Sequence, residues 1–303
     1  MPPENTQPLV QPTMPQVPLQ IGKFKASVLI AKQSWAILKQ DTELLWFPVL
    51  SSIISFIAFV IMASVIYFSL LNGNIHNLDA VGKEDGATVV YYIVLFIYYL
   101  VTFFIINFFQ SGMLVIASAR FKGQDATFND GMNEAKHNVG KLFMWSMVSA
   151  TVGVILNIIA NNFKLVGRIV AYILGAAWNI LTYFSLPALI IGKNSIRGSF
   201  KESAMIIRKT WGETIIVNLG MSLFFGVIIL LAFIMGIGIL VLAPSMTTGI
   251  IIGGIFLLFA MGVSILSSTL GTIFKLALYE YARTGTIVQG FSPELVQNAV
   301  KSK

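Results

Sequence analysis

Cysteine is absent from the 303-residue chain, which excludes disulfides, thiolate metal centres, thiol nucleophiles and Cys-linked lipid anchors. Charge is scarce as well, at 11% of residues, where soluble domains carry about 25%. Histidine occurs twice, as His76 and His137. Apolar side chains fill the space: 56% of residues are hydrophobic and the mean hydropathy is +0.81. A soluble fold has no interior large enough for them. The composition excludes disordered, collagen-like and cytosolic-enzyme classes and points to an integral membrane protein.

A membrane-crossing helix needs about 20 mainly apolar residues. Six stretches meet that length: Leu44–Leu71, Ala87–Ala119, Leu142–Ala160, Ile169–Gly192, Thr214–Leu242 and Ile250–Tyr281. Alternating apolar and polar residues are missing, which removes a β-barrel. The expected fold is all-α, with six transmembrane helices in three hairpins. Pro48 falls in the first turn of the first run, where a missing N–H costs little. Pro187 lies inside the fourth run and is expected to kink it.

Lys and Arg are placed unevenly. Seventeen of the twenty fall before the first run, after each even-numbered run or at its cytoplasmic-side end, and only Lys83, Lys164 and Arg168 fall on the other side. The positive-inside rule then puts both termini in the cytoplasm of a cytoplasmic membrane. The net charge of +7 is thereby a topological signal, and nucleic acid is not an expected partner. Residues 1–20 hold six of the ten prolines and neither Lys nor Arg, so they read as a proline-rich cytoplasmic tail and not a secretory signal. A single membrane domain over residues 21–285 and a second tail over residues 286–303 complete the expected organisation.

The chain repeats itself. Gly22–Trp35 aligns without gaps to Gly198–Trp211, matching Phe24 with Phe200, Ser27 with Ser203, Ile30 with Ile206 and Lys32 with Arg208. A weaker copy runs from Phe128 to Val139. Each copy precedes two apolar runs, giving repeats of about 22–120, 126–193 and 198–283. The expected unit is an amphipathic interfacial helix followed by a hairpin. Phe24, Val28, Ala31, Trp35 and Leu38 form one apolar stripe at helical spacing, as do Phe200, Ala204, Ile207 and Trp211, and Phe128, Met132, Ala135 and Val139. The basic faces, with Lys25, Lys32, Lys39, Lys201, Arg208 and Lys209, are the expected contacts to anionic headgroups. A cytosolic helix pairing with its siblings has the same periodicity, so the spacing alone does not name the partner.

Chemistry-bearing patterns are few. Asp130, Glu134 and His137 share a helical face and are of metal-ligating type. Thr127–Asp130 also reads as a capping box, repeated at Ser199–Glu202, which gives Asp130 a structural task. No metal or other cofactor is expected. The runs hold no Asp, Glu, Arg or His near their centres, which argues against proton-coupled carriers and intramembrane acid–base catalysis. Neutral amides do occur there. Asn107, Asn157, Asn179 and Asn218 are candidates for a polar path, or for bonds between helices of about 1 kcal/mol each.

Ser34–Lys39, Glu43–Pro48 and the closing Tyr281–Gly285 and Gly290–Leu295 stretches resemble the signatures of an uncharacterised six-helix membrane family of bacteria and archaea. The repeated layout is also similar to the membrane domain attached to some glycerophosphodiester phosphodiesterases, whose catalytic barrel has no counterpart here. The resemblance supplies no functional residues. The expected function is that of a non-enzymatic scaffold or accessory protein, binding anionic lipid or, through its tails, partner proteins. The alternative is a permease for a small or amphiphilic solute.

Overall fold

A computed structural model describes residues 23–71, 85–209, 213–242 and 245–293. The proline-rich tail, His76, Lys83 and Trp211 lie outside the described residues, as do the side chains of Lys25, Lys164, Lys209 and Asn218. The elements are α1 (Lys23–Gln40), a 3-10 turn (Thr42–Leu45), α2 (Trp46–Leu71), α3 (Asp85–Phe121), α4 (Phe128–His137), α5 (Val139–Asn162), α6 (Lys164–Leu181), α7 (Ser185–Ile190), α8 (Ile196–Lys209), α9 (Glu213–Leu242) and α10 (Met246–Thr284). No strand occurs among the described residues.

Five helical segments among the described residues are long and apolar enough to cross a membrane: Thr42–Phe68, Val89–Phe121, Val139–Asn162, Leu165–Ile190 and Met246–Thr284. Phe225–Leu240, in the described part of α9, is a shorter apolar helix. Helices are the form such runs must take, because in lipid every backbone N–H and C=O needs an internal partner. Their outer surfaces carry bare apolar side chains, such as Phe56, Ile61, Tyr172 and Leu258.

Consecutive long helices pack in pairs, α2 on α3, α5 on α6 and α9 on α10, while α3 also packs on α5. The short helices follow a cyclic pattern. α4 rests on α3, α8 on α7, and α1 on α9 and α10. Each thus covers the helix pair that precedes it, with the first covering the last.

The buried core lies where these short helices meet the long ones, around Ile37, Leu44, Phe47, Ile116, Leu142, Phe184, Ile273 and Tyr279. Phe47 and Phe128 bring the start of α2 to α4, with ring centroids 4.7 Å apart. Glycine permits the closest approach: a Cβ on Gly131 would lie 2.7 Å from the Gly112 carbonyl oxygen and 2.8 Å from Phe47 Cζ.

The fourth apolar run is broken, not merely kinked. α6 ends at Leu181 and α7 begins at Ser185. Pro187 explains the position, since it lacks an N–H for the carbonyl of Tyr183 and its ring crowds that carbonyl. Ser203 of α8 fills in, donating to the Leu181 carbonyl at 2.7 Å and accepting from the Phe184 N–H at 3.0 Å.

After α10 the chain turns at Gly285 (φ 71°) and returns along α1. Gly290 (φ 93°) sits against Ile37, the Ser292 N–H donates to Gln33 Oε1 at 3.3 Å, and buried Phe291 meets Phe121 and Phe274. The second expected tail therefore starts as a packed strap.

Candidate functional site: the basic end of the bundle

The starts of α2 and α5, the ends of α3, α7 and α10, and the helices α1, α4 and α8 converge at one end, where most of the described basic residues lie. Two polar joints hold it. Arg120, at the end of α3, pairs with Asp41 at 3.3 Å and with Asp125, joining the α1–α2 corner to the α3–α4 connection. Burial pushes the Asp41 carboxyl above its ordinary value, against the opposing pull of Arg120. Glu43 accepts from the Phe128 N–H next to this joint. In the second joint, Glu202 of α8 accepts from Tyr279 Oη at 3.0 Å and from Asn194 Nδ2.

The Thr127–Asp130 capping box forms. Asp130 Oδ2 accepts from the Thr127 N–H at 2.8 Å, and the Asp130 N–H reaches Thr127 Oγ1 at 3.4 Å. Those Thr127 donors, backbone first and hydroxyl second, hold the Asp130 carboxyl below its usual range. The second expected box does not form. α8 starts earlier, at Ile196, and Ser195 Oγ accepts from the Gly198 N–H at 3.2 Å. Ser199 is then interior to the helix and bonds back to the Ile196 carbonyl, which leaves Glu202 free for Tyr279.

Asp130, Glu134 and His137 do not assemble into a metal site; no such cluster occurs among the described residues. Glu134 accepts from Asn138 Nδ2 at 2.9 Å, and His137 is exposed.

The expected apolar stripes face the protein to different degrees. In α1 the protein-facing residues are Ile30, Ser34, Ile37 and Leu38, while Val28 and Trp35 stay 45% and 38% exposed. Leu38 alone of the described expected stripe is fully buried, and Ala31 is partly covered. In α8 the buried set is Ser199, Ser203, Ile206 and Ile207, with Phe200 stacked on Trp178 at 5.9 Å. Trp178 stacks in turn on Trp145 at 6.2 Å. In α4 the expected stripe faces the protein, with Ala135 buried and Phe128 and Met132 packed on the core, while Val139, already in α5, is exposed.

Among the expected headgroup contacts, Lys32, Lys39, Lys201 and Arg208 are exposed. Lys39 Nζ lies 5.7 Å from the Trp35 ring centroid. Of the polar-path candidates whose side chains are described, two are engaged in hydrogen bonds. Asn107 donates to Ser146 Oγ at 3.1 Å, tying α3 to α5, and Asn157 accepts from Asn161 on its own helix at 2.9 Å. Asn179 is exposed on α6. Gln110 provides a second interhelical bond, to Thr272 Oγ1 of α10 at 3.1 Å. A cleft of about 680 Å³ at the α5–α6 corner is lined by Ile159, Asn162, Phe163, Leu165, Val166, Gly167 and Val170, and is predominantly apolar.

Five apolar helices long enough to cross a membrane, around a small polar-jointed core, suggest a helical, multi-pass membrane protein. The chain belongs to the Family of unknown function (DUF6159), whose profile it matches over residues 89–290. No curated protein matches it.

Proposed function

We propose that this protein is a non-enzymatic scaffold of the cytoplasmic membrane that crosses it six times in three hairpins, built by one threefold repeat. Its basic end faces the cytoplasm, with both termini on that side. There α1, α4 and α8 lie at the headgroup level and gather anionic lipid. The observation that carries the reading is the outer face of α1 and α8: Lys32, Lys39, Lys201 and Arg208 project from helices whose opposite faces are buried, and exposed Trp35 lies under Lys39. An amphipathic aromatic ring beside an ammonium suits the interface, where one side is apolar and the other wet.

The cysteine-free chain makes topology testable directly. Asn162→Cys and Ser195→Cys sit at exposed positions on opposite ends. In intact cells an impermeant maleimide is expected to label the first, and the second only after lysis; the reverse pattern overturns the orientation. For the lipid role, a spin-labelled anionic lipid is expected to be enriched around the reconstituted protein over a zwitterionic one. The K32Q/K39Q/K201Q/R208Q variant should lose that preference. Unchanged preference in the variant rejects the role. The permease alternative draws little support from Asn107 and Asn157, whose amides are engaged in bonds to neighbouring side chains.

A further inference from the structure

Lys275 differs from the other basic residues at this end. It lies in α10 nine residues before the helix ends at Thr284, about 13 Å along the axis, and inside the apolar segment Met246–Thr284. Its neighbours Phe274 and Leu276 are fully buried, while Lys275 itself is partly covered. Among the described residues no carboxylate lies within ion-pair distance of its ammonium. The Nζ sits instead 4.7 Å from the centroid of the Tyr183 ring.

Tyr183 stands in the break between α6 and α7, and Ser185 opens α7. Tyr183 Oη and Ser185 Oγ are both buried without a hydrogen-bond partner among the described residues, and Ser185 is 0% exposed. A lysine ammonium has three protons to donate and each hydroxyl one. The break thus holds two unspent hydroxyl donors, and the Lys275 ammonium stands over the ring of one of them. Buried polar groups are ordinarily paired, and an ionisable group within a membrane segment is ordinarily paired or functional.

We infer that Lys275, beside the Tyr183 hydroxyl, forms a binding site for one phosphate group, that of an anionic lipid entering sideways from the bilayer. The inference rests on the proposed placement of α1 and α8 at the headgroup level, but not on their surface Lys and Arg contacts. Those two helices and α7 pack on α10, whose Ile273–Glu280 stretch is buried apart from Lys275. The headgroup plane therefore passes near Lys275, and its partly exposed flank lets a lipid reach the ammonium without entering the core. Phosphate suits the donor set because its oxygens accept several hydrogen bonds at once and its charge answers the lone cation. A surface lysine attracts lipid diffusely and is screened by salt, whereas a recessed one holds a single lipid through it.

The test uses the full chain in phosphatidylcholine nanodiscs doped with phosphatidylglycerol, washed at about 1 M NaCl, where the screening length is about 3 Å. Native mass spectrometry then counts bound lipid. The wild type is expected to keep one phosphatidylglycerol, Lys275→Met to lose it and Lys275→Arg to keep it. Tyr183→Phe should weaken binding about ten-fold, the loss of one charge-assisted hydrogen bond. Should Lys275→Met not insert stably, the near-isosteric Tyr183→Phe carries the comparison. A second arm offers inorganic phosphate to discs of phosphatidylcholine alone; an adduct abolished by Lys275→Met shows the same site taking the free ion. Binding in neither arm, or binding undiminished in these variants, overturns the inference. The K32Q/K39Q/K201Q/R208Q variant is expected to keep the salt-resistant lipid. Its own failure to change lipid preference rejects the surface role and leaves the Lys275 site standing.

Discussion

Tyr279 Oη donates to Glu202 Oε1 at 3.0 Å across 77 residues of sequence, fastening the end of α10 to α8. Tyr279 is fully buried, and Glu202 is also held by Asn194. Removing the hydroxyl leaves the carboxylate short of one donor inside the core. Tyr279→Phe, which keeps the ring, is expected to cost about 1–3 kcal/mol. Differential scanning fluorimetry in detergent should show the fall in Tm. A Tm equal to the wild type's would mean that the pair does not carry the α8–α10 joint.

Gly131 tolerates less. A methyl group there meets a backbone oxygen and the Phe47 ring within 2.8 Å, and the backbone oxygen cannot swing away as a flexible side-chain end would. Gly131→Ala should separate α4 from α3 and cost about 1–3 kcal/mol or more. Gly140→Ala, where nothing lies within 4 Å, is the control and should be neutral or slightly stabilising. Equal stability of the two variants would refute the close packing of α4 on α3.

Burial of Asp41 makes stability depend on pH in a direction opposite to the usual carboxylate, against the pull of its partner Arg120. Asp41 has its folded-state value raised by burial, so between the unfolded value and the folded one the native state binds more proton. Its contribution to stability accordingly falls as pH rises through that window. Arg120→Leu removes the one described counter-charge of a side chain only 5% exposed. The loss near neutral pH should be about 2–3 kcal/mol, below the roughly 3–5 of a fully buried pair because Arg120 itself is partly solvated. Acidification should return part of it, because Asp41 without Arg120 takes up a proton more readily. Unfolding curves of both proteins at several pH values test this. A deficit that grows on acidification contradicts the assignment.

Much of this architecture is legible in the chain, and the limits are physical. Membrane helices announce themselves by length and apolarity, so the runs at α2, α3, α5 and α10 could be placed without contacts. The side that α1 turns to the protein could not. Lipid and protein interior accept the same side chains, and α1 has apolar residues on both faces, with Ile30 and Ile37 buried but Val28 and Trp35 exposed. Ser199–Glu202 satisfies the local rule for a cap, yet a serine four residues earlier and a tyrosine 77 residues later offered better partners. Lys275 was indistinguishable by charge from the lysines of the closing tail. Only the Tyr183 ring and the packing of α10 set it apart.

Trp35 offers the sharpest reading of where the short helices lie. It is 38% exposed beside Lys39, whereas Trp145 is 5% exposed inside the α5–α6–α8 stack. Single-tryptophan variants retaining one or the other, in liposomes with bromine near the glycerol backbone, separate the two environments. Quenching falls steeply with distance, so Trp35 should lose several-fold more emission than Trp145. Bromine placed at the acyl-chain ends should quench Trp35 less, because the amphipathic ring stays at the headgroup level. Should Trp35 emit at long wavelength and escape quenching at both depths, α1 would lie in water, and the helix would be a cytosolic platform for protein partners instead of a lipid-facing one.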